Sequence, residues 1–205
     1  MDQIILQGLD GEVIISSAYF ITSSKLFESM VRYYPQTVIP NIYFPVTVKI
    51  IHQVVKFMEE GRTELTSLDN EKDVYYFSNS YKIYYLRNFC NKYILSFINN
   101  ENIFNIYEFA CNVADNYIRY ECWKWFDEEC EEVFKKSNCS NCNKYTISTL
   151  VSRPIYKWMN EADVFRTVYY WAETKVNKSS NLRTIIELYL PKIRFLAIRP
   201  ECFQK

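Results

Sequence analysis

The chain has 205 residues and a mass of 24.7 kDa, with 49% hydrophobic and 23% charged residues, which is typical of a folded protein with one large or two small domains. Its 24 basic and 24 acidic residues cancel, and this balance disfavours nucleic acid as the main partner. Only three glycines and one histidine are present, which argues against phosphate-binding loops and against histidine-based metal or acid–base sites.

The first residues predict a hairpin followed by a short helix. Ile4–Leu6 and Val13–Ile15 are β-type runs, and the residues between them, Leu9–Glu12, have the chemistry of a turn. Ser23 and Ser24 are favourable N-cap residues for an amphipathic helix, and Pro35 ends that helix. The pattern therefore indicates two antiparallel strands with a helix after them.

A short strand and a series of helices follow. Pro40 confines the strand Ile42–Phe44 to a sheet edge or a break. From Pro45, which fits a helical first turn, apolar residues recur at helical spacing as far as Gly61, a typical C-cap. Further helices are predicted over residues 69–78, 81–95, 103–114, 117–133, 147–151, 163–174 and 182–188. The predicted fold class is α+β, with a small sheet near the start and helices through the rest.

The seven cysteines are odd in number, and the acidic start of the chain has no apolar leader before them. We therefore expect reduced thiols in an intracellular, cytoplasmic protein. Cys139 and Cys142 form a single CxxC pair, without the second pair that a structural zinc site needs. We predict that they lie in a surface loop as free thiols without a metal. No apolar run approaches the ~20 residues that span a bilayer, so no membrane partner is expected.

The sequence contains no recognisable catalytic constellation. Glu128, Glu129, Glu131 and Glu132 form a charge run, which is typical of a solvated helix face. His52, the single histidine, lies on a predicted helix beside apolar neighbours, where a histidine is usually packed or exposed rather than catalytic. We therefore predict that the protein is not an enzyme, has no catalytic residues and has no cofactor.

The order of the pieces in the first half is more specific than any one piece. The two strands are followed by Phe20–Met30, by a helix that ends at Gly61, and by the helix pair of Ser78–Leu95. In this order the first half, residues 1–98, resembles a BTB (POZ) domain. The resemblance implies a small sheet with helices that serves protein–protein interaction.

Three pieces of the second half also occur in a recognisable order. They are Asn102–Phe126, Asn160–Trp171 and Leu190–Phe195, of which the second is the clearest. With them, residues 99–205 resemble the all-helical BACK domain that follows BTB in kelch-like proteins. The sequence reaches Lys205 without kelch repeats. Its abundant Tyr, Phe, Asn, Ile and Lys have AT-rich codons, as in the genome of a large DNA virus or of an AT-rich protist, and a viral source would place the protein in the host cytoplasm.

The resemblance implies a protein partner. It points to an adaptor that binds the cullin scaffold of a ubiquitin ligase, or to a competitor of such adaptors without a substrate-binding kelch propeller. The candidates for partner contact are Tyr33, Tyr34, Pro35, Gln36, Tyr81, Tyr84 and Tyr85.

Two departures from kelch-like proteins keep an alternative open. The first four candidates stand where those proteins carry a cullin-contacting φ-x-Glu motif, which is not evident here. Only Met1 and Asp2 precede the first strand, where the family has a dimer-forming helix. The alternative is a structural assembly protein that uses the BTB-like fold for self-association, as a homodimer for example, and does not bind cullin.

Overall fold

The computed structural model describes residues 3–35, 37–133, 139–152, 161–177, 181–195 and 198. The chain divides into two compact units, Met1–Phe97 and Ile98–Lys205. The first unit combines a three-stranded sheet with helices, and the elements of the second unit are helices. The predicted α+β class is thereby confirmed.

The elements of the first unit follow the predicted order, with one addition. They are β1 (Gln3–Gln7), β2 (Glu12–Ser16), α1 (Ser17–Ser23), α2 (Lys25–Arg32), β3 (Asn41–Tyr43), α3 (Val48–Glu60), α4 (Leu68–Ser80) and α5 (Tyr84–Ser96). The hairpin and the helix after it are confirmed. Of the two predicted N-cap residues, Ser24 is the cap, because its side chain accepts a hydrogen bond from the backbone N–H of Leu26. Helix α1 was not predicted, since Ser17 and Phe20 are its only buried residues and they form no apolar repeat.

The elements of the second unit are α6 (Ile103–Asn112), α7 (Asn116–Glu128), α8 (Cys130–Val133), α9 (Lys144–Val151), α10 (Glu161–Lys175), α11 (Leu182–Glu187) and a 3-10 turn (Leu190–Lys192). Residues 117–133 were predicted as one helix, and this prediction is wrong. Glu129 does not have helical backbone angles, and it separates α7, which ends at Glu128, from α8, which begins at Cys130.

The sheet has the strand order β2-β1-β3. Strands β1 and β2 are antiparallel, with Ile5 opposite Ile14, whereas β1 and β3 are parallel. Successive side chains alternate between the faces, so one face buries Ile4, Leu6, Val13, Ile15 and Ile42 against the core. The other face carries Ile5 and Ile14 among polar residues, and Ile14 is largely exposed.

The hairpin turn is attached to the start of α3. The backbone N–H of Leu9 donates to the carbonyl oxygen of Val46 at 2.8 Å, and Asp10 Oδ1 accepts from the N–H of Val48 at 2.6 Å. Asp10 thus satisfies one of the free N–H groups of the first helical turn and places a negative charge there. Helix α3 begins at Val48 for this reason, and Pro45 lies before it rather than in its first turn as predicted.

Five aromatic rings, which we call the aromatic cluster, form the centre of the first unit. Phe20 and Phe27 stack with their ring centroids 4.0 Å apart and their planes at 10°. Phe44 packs edge-on against Phe77 at 5.0 Å and against Tyr81 at 4.7 Å. The cluster therefore joins α1, α2, the residue after β3, α4 and the turn between α4 and α5.

We expect Gly8→Ala to destabilise the first unit. A Cβ atom at position 8 would lie 2.8 Å from the carbonyl oxygen of Val46 and 3.1 Å from Cδ1 of Ile51, so the turn would have to move away from α3. The expected loss is about 1–3 kcal/mol of unfolding free energy, measured by urea denaturation.

The matched control for this change is Gly61→Asn. Gly61 has a φ of +70°, and a Cβ atom at this position would have no neighbouring atom within 4 Å. Asparagine tolerates this left-handed backbone conformation. Its expected loss is below about 1 kcal/mol. An equal loss from both substitutions would contradict the close contact between the turn and α3.

Candidate partner-binding surface

The first group of candidate residues lies in the loop between α2 and β3, which we call the α2–β3 loop. Tyr33 is 90% exposed, and Pro35 is exposed beside it. Tyr34 attaches the loop to β3, because its hydroxyl donates a hydrogen bond to the carbonyl oxygen of Asn41 at 2.7 Å. Gln36 lies outside the described residues. The loop therefore presents one free aromatic side chain on a segment that its neighbour holds in place.

The second group lies at the corner between α4 and α5, which we call the α4–α5 corner. Tyr84 and Tyr85 are exposed, the latter to 83%, and the Arg87 guanidinium lies 5.3 Å from the centre of the Tyr84 ring. Tyr81 is half-buried in the aromatic cluster, and burial raises the pKa of its hydroxyl. Lys82 has a φ of 58°, a left-handed backbone conformation that turns the chain between the two helices.

Helix α2 stands between the two groups. The Ser24 hydroxyl donates to the carbonyl oxygen of Tyr81 at 2.7 Å, so the α4–α5 corner lies at the start of α2. Tyr33 caps the other end of α2, which is about 13 Å away at 1.5 Å per residue. The structure therefore places the candidates in two groups at opposite ends of one helix rather than in one patch.

A groove with a volume of about 340 Å³ adjoins the α4–α5 corner. Its walls are mainly apolar residues from the hairpin turn, the start of α3 and α4, namely Leu9, Val46, Ile50, Tyr76, Phe77 and Tyr81. The accessible part of Tyr81 borders this groove, so Tyr81 differs from Tyr85 in what it can offer a partner. Tyr81 offers a ring edge within a concave wall, and Tyr85 offers a whole side chain.

Three exposed apolar residues near the α2–β3 loop were not among the candidates. Val38, Ile39 and Tyr43 are each half or more exposed. Val38 and Ile39 stand between Pro35 and Pro40. Two prolines so close together prevent a regular strand that could bury the residues between them. The sequence therefore contained a sign that Val38 and Ile39 are exposed.

Glu71 is the carboxyl group with the most perturbed environment in the first unit. It is fully buried on α4, and neither of its carboxylate oxygens has a hydrogen-bond partner. Burial raises its pKa to about 7. A perturbed carboxyl group in a cleft is a candidate acid or base, but Glu71 has no exposed surface that a substrate could reach. Its effect is therefore on stability.

The described part of the predicted acidic run has the exposure predicted for it, and the side chain of Glu131 lies outside that part. Glu128, Glu129 and Glu132 are exposed. His52 is also exposed, on α3. These residues form the solvated surfaces that the sequence indicates.

The prediction of a surface loop for Cys139 and Cys142 is wrong, because both side chains are buried. The Cys142 thiol donates to the carbonyl oxygen of Cys139, and the indole N–H of Trp171 donates to the carbonyl oxygen of Cys142 at 2.8 Å. Burial raises the pKa of Cys139 to about 11 and also raises that of Cys142. The pair is thus a packed, weakly acidic part of the second unit.

Among the described residues, no group of three or more His, Cys, Asp or Glu side chains could hold a metal ion. In the same part of the chain, no helix has the length and apolar character required to cross a bilayer.

We expect Glu71→Gln to stabilise the protein at neutral and alkaline pH. The carboxyl group ionises near its ordinary pKa of 4.5 in the unfolded chain and near 7 in the folded chain, so the native state binds the proton more tightly. Stability should therefore fall as the pH rises from 4.5 to 7 and then level off.

The glutamine substitution should remove that fall and add about 1–3 kcal/mol above pH 7, measured by urea denaturation at pH 5 and pH 8. Glu59→Gln, at an exposed position on the neighbouring helix α3, is the control and should leave the slope unchanged. Parallel pH profiles for wild type and Glu71→Gln would contradict the buried, unpaired carboxyl group.

We also expect the cysteines to react with iodoacetamide in the order of their exposure. Cys111 is the exposed one of the five cysteines whose side chains are described, and it should alkylate before Cys139 and Cys142, which are buried thiols that require opening of the second unit. Peptide mass spectrometry at successive times measures this order, and the same reaction in urea supplies the control. Fast alkylation of Cys142 in the native protein would contradict the burial of its thiol.

Comparison with known proteins concerns the second unit. The family model described as BACK, BTB And C-terminal Kelch, matches residues 103–205, a range that begins at the first residue of α6. The resemblance predicted for the second half is thereby confirmed. No curated protein matches the chain.

Proposed function

The chain belongs to the BACK family, whose domains are non-catalytic interaction domains, and on that premise we propose that it is a protein–protein interaction module. We assign residues 1–98 to a BTB-like domain and residues 99–205 to the BACK domain. The boundary between the two compact units after Phe97 and the hairpin-first order of the first unit support this assignment.

The proposal rests on the exposure of tyrosine side chains whose backbone is held by hydrogen bonds. Tyr33 and Tyr85 offer large amphipathic side chains to a partner, and such residues dominate many interfaces. The bond from Tyr34 to Asn41 and the bond from Ser24 to Tyr81 hold the backbone beneath them. Binding then costs less conformational entropy than it would on an unattached loop.

The partner that we propose is a cullin scaffold. In that role the chain acts as a ubiquitin-ligase adaptor, or it competes with kelch-like adaptors for the same scaffold. The two ends of α2 are about 13 Å apart, so a partner that covers both tyrosine groups makes a contact of ordinary interface width. A mixture of the chain, a cullin and a kelch-like adaptor separates the two roles, since a competitor displaces the adaptor.

We expect Tyr33→Ala and Tyr85→Ala each to weaken cullin binding at least about tenfold, which is the loss of one aromatic anchor. Isothermal titration calorimetry with the purified amino-terminal part of a cullin measures the effect. Tyr145→Ala is the matched control, because Tyr145 is 72% exposed in the second unit. Equal affinity for all three variants would show that neither tyrosine group contacts the cullin. If the wild type does not bind, cullin is not the partner.

Self-association is the second candidate function, and the sheet favours it. Among the described residues, β2 pairs with β1 on one side and with no strand on the other. An unpaired edge strand is a common route to association. Light scattering separates the candidates, because a stable oligomer that ignores cullin supports the second and a monomer that binds cullin supports the first.

A further inference from the structure

Within the described part of the chain, the outer edge of β2 carries backbone groups that pair with no other strand. The N–H of Gly8 donates to the carbonyl oxygen of Gly11 at 2.8 Å, which makes this pair a hydrogen-bonded pair of the hairpin. Hydrogen-bonded and non-hydrogen-bonded pairs alternate along antiparallel strands. Val13 and Ile15 therefore direct their backbone groups toward β1, and those of Ile14 point to the free edge.

Strand β2 has little of the usual protection of an edge, because Glu12, its first residue, is its only charged one. Its five residues, Glu12–Ser16, include neither lysine nor proline, and each residue pairs one-to-one with β1, without a bulge. Ile14, in the middle, is 58% exposed. The opposite edge strand, β3, has only three residues and follows Pro40, so it is a poorer template.

We propose that β2 pairs antiparallel with β2 of a second copy of this chain, about a two-fold axis that passes beside Ile14. The inference rests on the second candidate function, self-association, and identifies its surface. The N–H of Ile14 donates to the carbonyl oxygen of the partner's Ile14, and the reverse bond forms by symmetry. Two three-stranded sheets then become one sheet of six strands.

Charge and strand length favour this register, because β2 ends at Ser16 and a pairing centred there would overlap little. With Ile14 on the axis, Glu12 lies opposite the partner's Ser16, so no like charges face each other. Moving the axis to Glu12 would set two carboxylates directly opposite, which is unfavourable. The centred register also places Ile5 and Ile14 of both copies in one row across the exposed face of the sheet, because Ile5 lies opposite Ile14 within each copy. The strand is short, so the contact is small and the dimer should dissociate on dilution.

Cysteine cross-linking tests the register. Cα atoms of a hydrogen-bonded antiparallel pair lie about 5.5 Å apart, which a disulfide can bridge. In the variant Ile14→Cys, two thiols should therefore form one intermolecular disulfide, with diamide accepting the two electrons and two protons and becoming the hydrazine. Glu12→Cys should not cross-link, because position 12 and its symmetry mate are about 14 Å apart along the strands.

The unsubstituted chain, treated with diamide in parallel, gives the background from the native cysteines. A covalent dimer from Ile14→Cys well above that background, and none from Glu12→Cys, is the expected result. No cross-link at position 14, or equal cross-linking at both positions, would overturn the proposed pairing.

Light scattering on the full chain tests the surface independently. The wild-type mass should rise with concentration from 24.7 kDa toward twice that value. Ile14→Lys should remain at the monomer mass, because it sets two ammonium groups opposite each other on the axis. Leu188→Lys, which changes an exposed leucine in the second unit, should behave as wild type, and circular dichroism should show that both variants are folded.

The outcomes separate this proposal from the function on which it rests. If Ile14→Lys associates as strongly as wild type, self-association stands and the β2 surface is wrong. If the wild type stays monomeric at every concentration, both are wrong, and cullin binding through the tyrosines is unaffected.

Discussion

The stacking of Phe27 on Phe20, with the rest of the aromatic cluster around it, is the contact on which the first unit depends. The rings come from segments before and after β3 in the chain, so their contacts hold α1, α2 and α4 together around one centre. Burial of each ring contributes about 1.5–3 kcal/mol, and each favourable ring pair adds about 0.5–1.5 kcal/mol. Tyr81 belongs to this cluster and also borders the surface groove, so core and surface share a residue there.

Hydrogen bonds then fix the relative positions of the helices that the aromatic cluster alone does not determine. Ser24 accepts from the N–H of Leu26 and donates to the carbonyl oxygen of Tyr81, so one hydroxyl both starts α2 and attaches the α4–α5 corner to it. Gln53 and Asn70 exchange two buried hydrogen bonds, which connect α3 to α4. Such bonds contribute only about 1 kcal/mol each, but a buried group that lost its partner would cost more. They therefore fix geometry more than they add stability.

The local sequence pattern was enough to predict the hairpin, α2 and the C-cap at Gly61, because each of these depends on residues adjacent in sequence. The local pattern gave wrong predictions where contacts between residues distant in sequence determine the structure. Asp10, 38 positions away, sets the start of α3, and Trp171, 29 positions away, donates a hydrogen bond to the backbone carbonyl of the buried Cys142. The candidate site shows the same division. Sequence could select its tyrosines, but Tyr81 and Tyr85, four positions apart, differ in burial because the turn at Lys82 interrupts the helical repeat between them.

The strand order determines whether the two proposed contacts can coexist. Strand β1 separates β2 from β3, so the free edge of β2 and the edge that anchors Tyr34 at Asn41 lie about 10 Å apart on opposite sides of the sheet. Pairing at β2 uses backbone groups, whereas the α2–β3 loop offers side chains. A dimer formed through β2 would therefore keep both copies of Tyr33 accessible and present two equivalent tyrosine surfaces. A partner with two copies of its own binding site would then bind by avidity, with the second contact made at high effective concentration, and modest affinity at each tyrosine group would be sufficient.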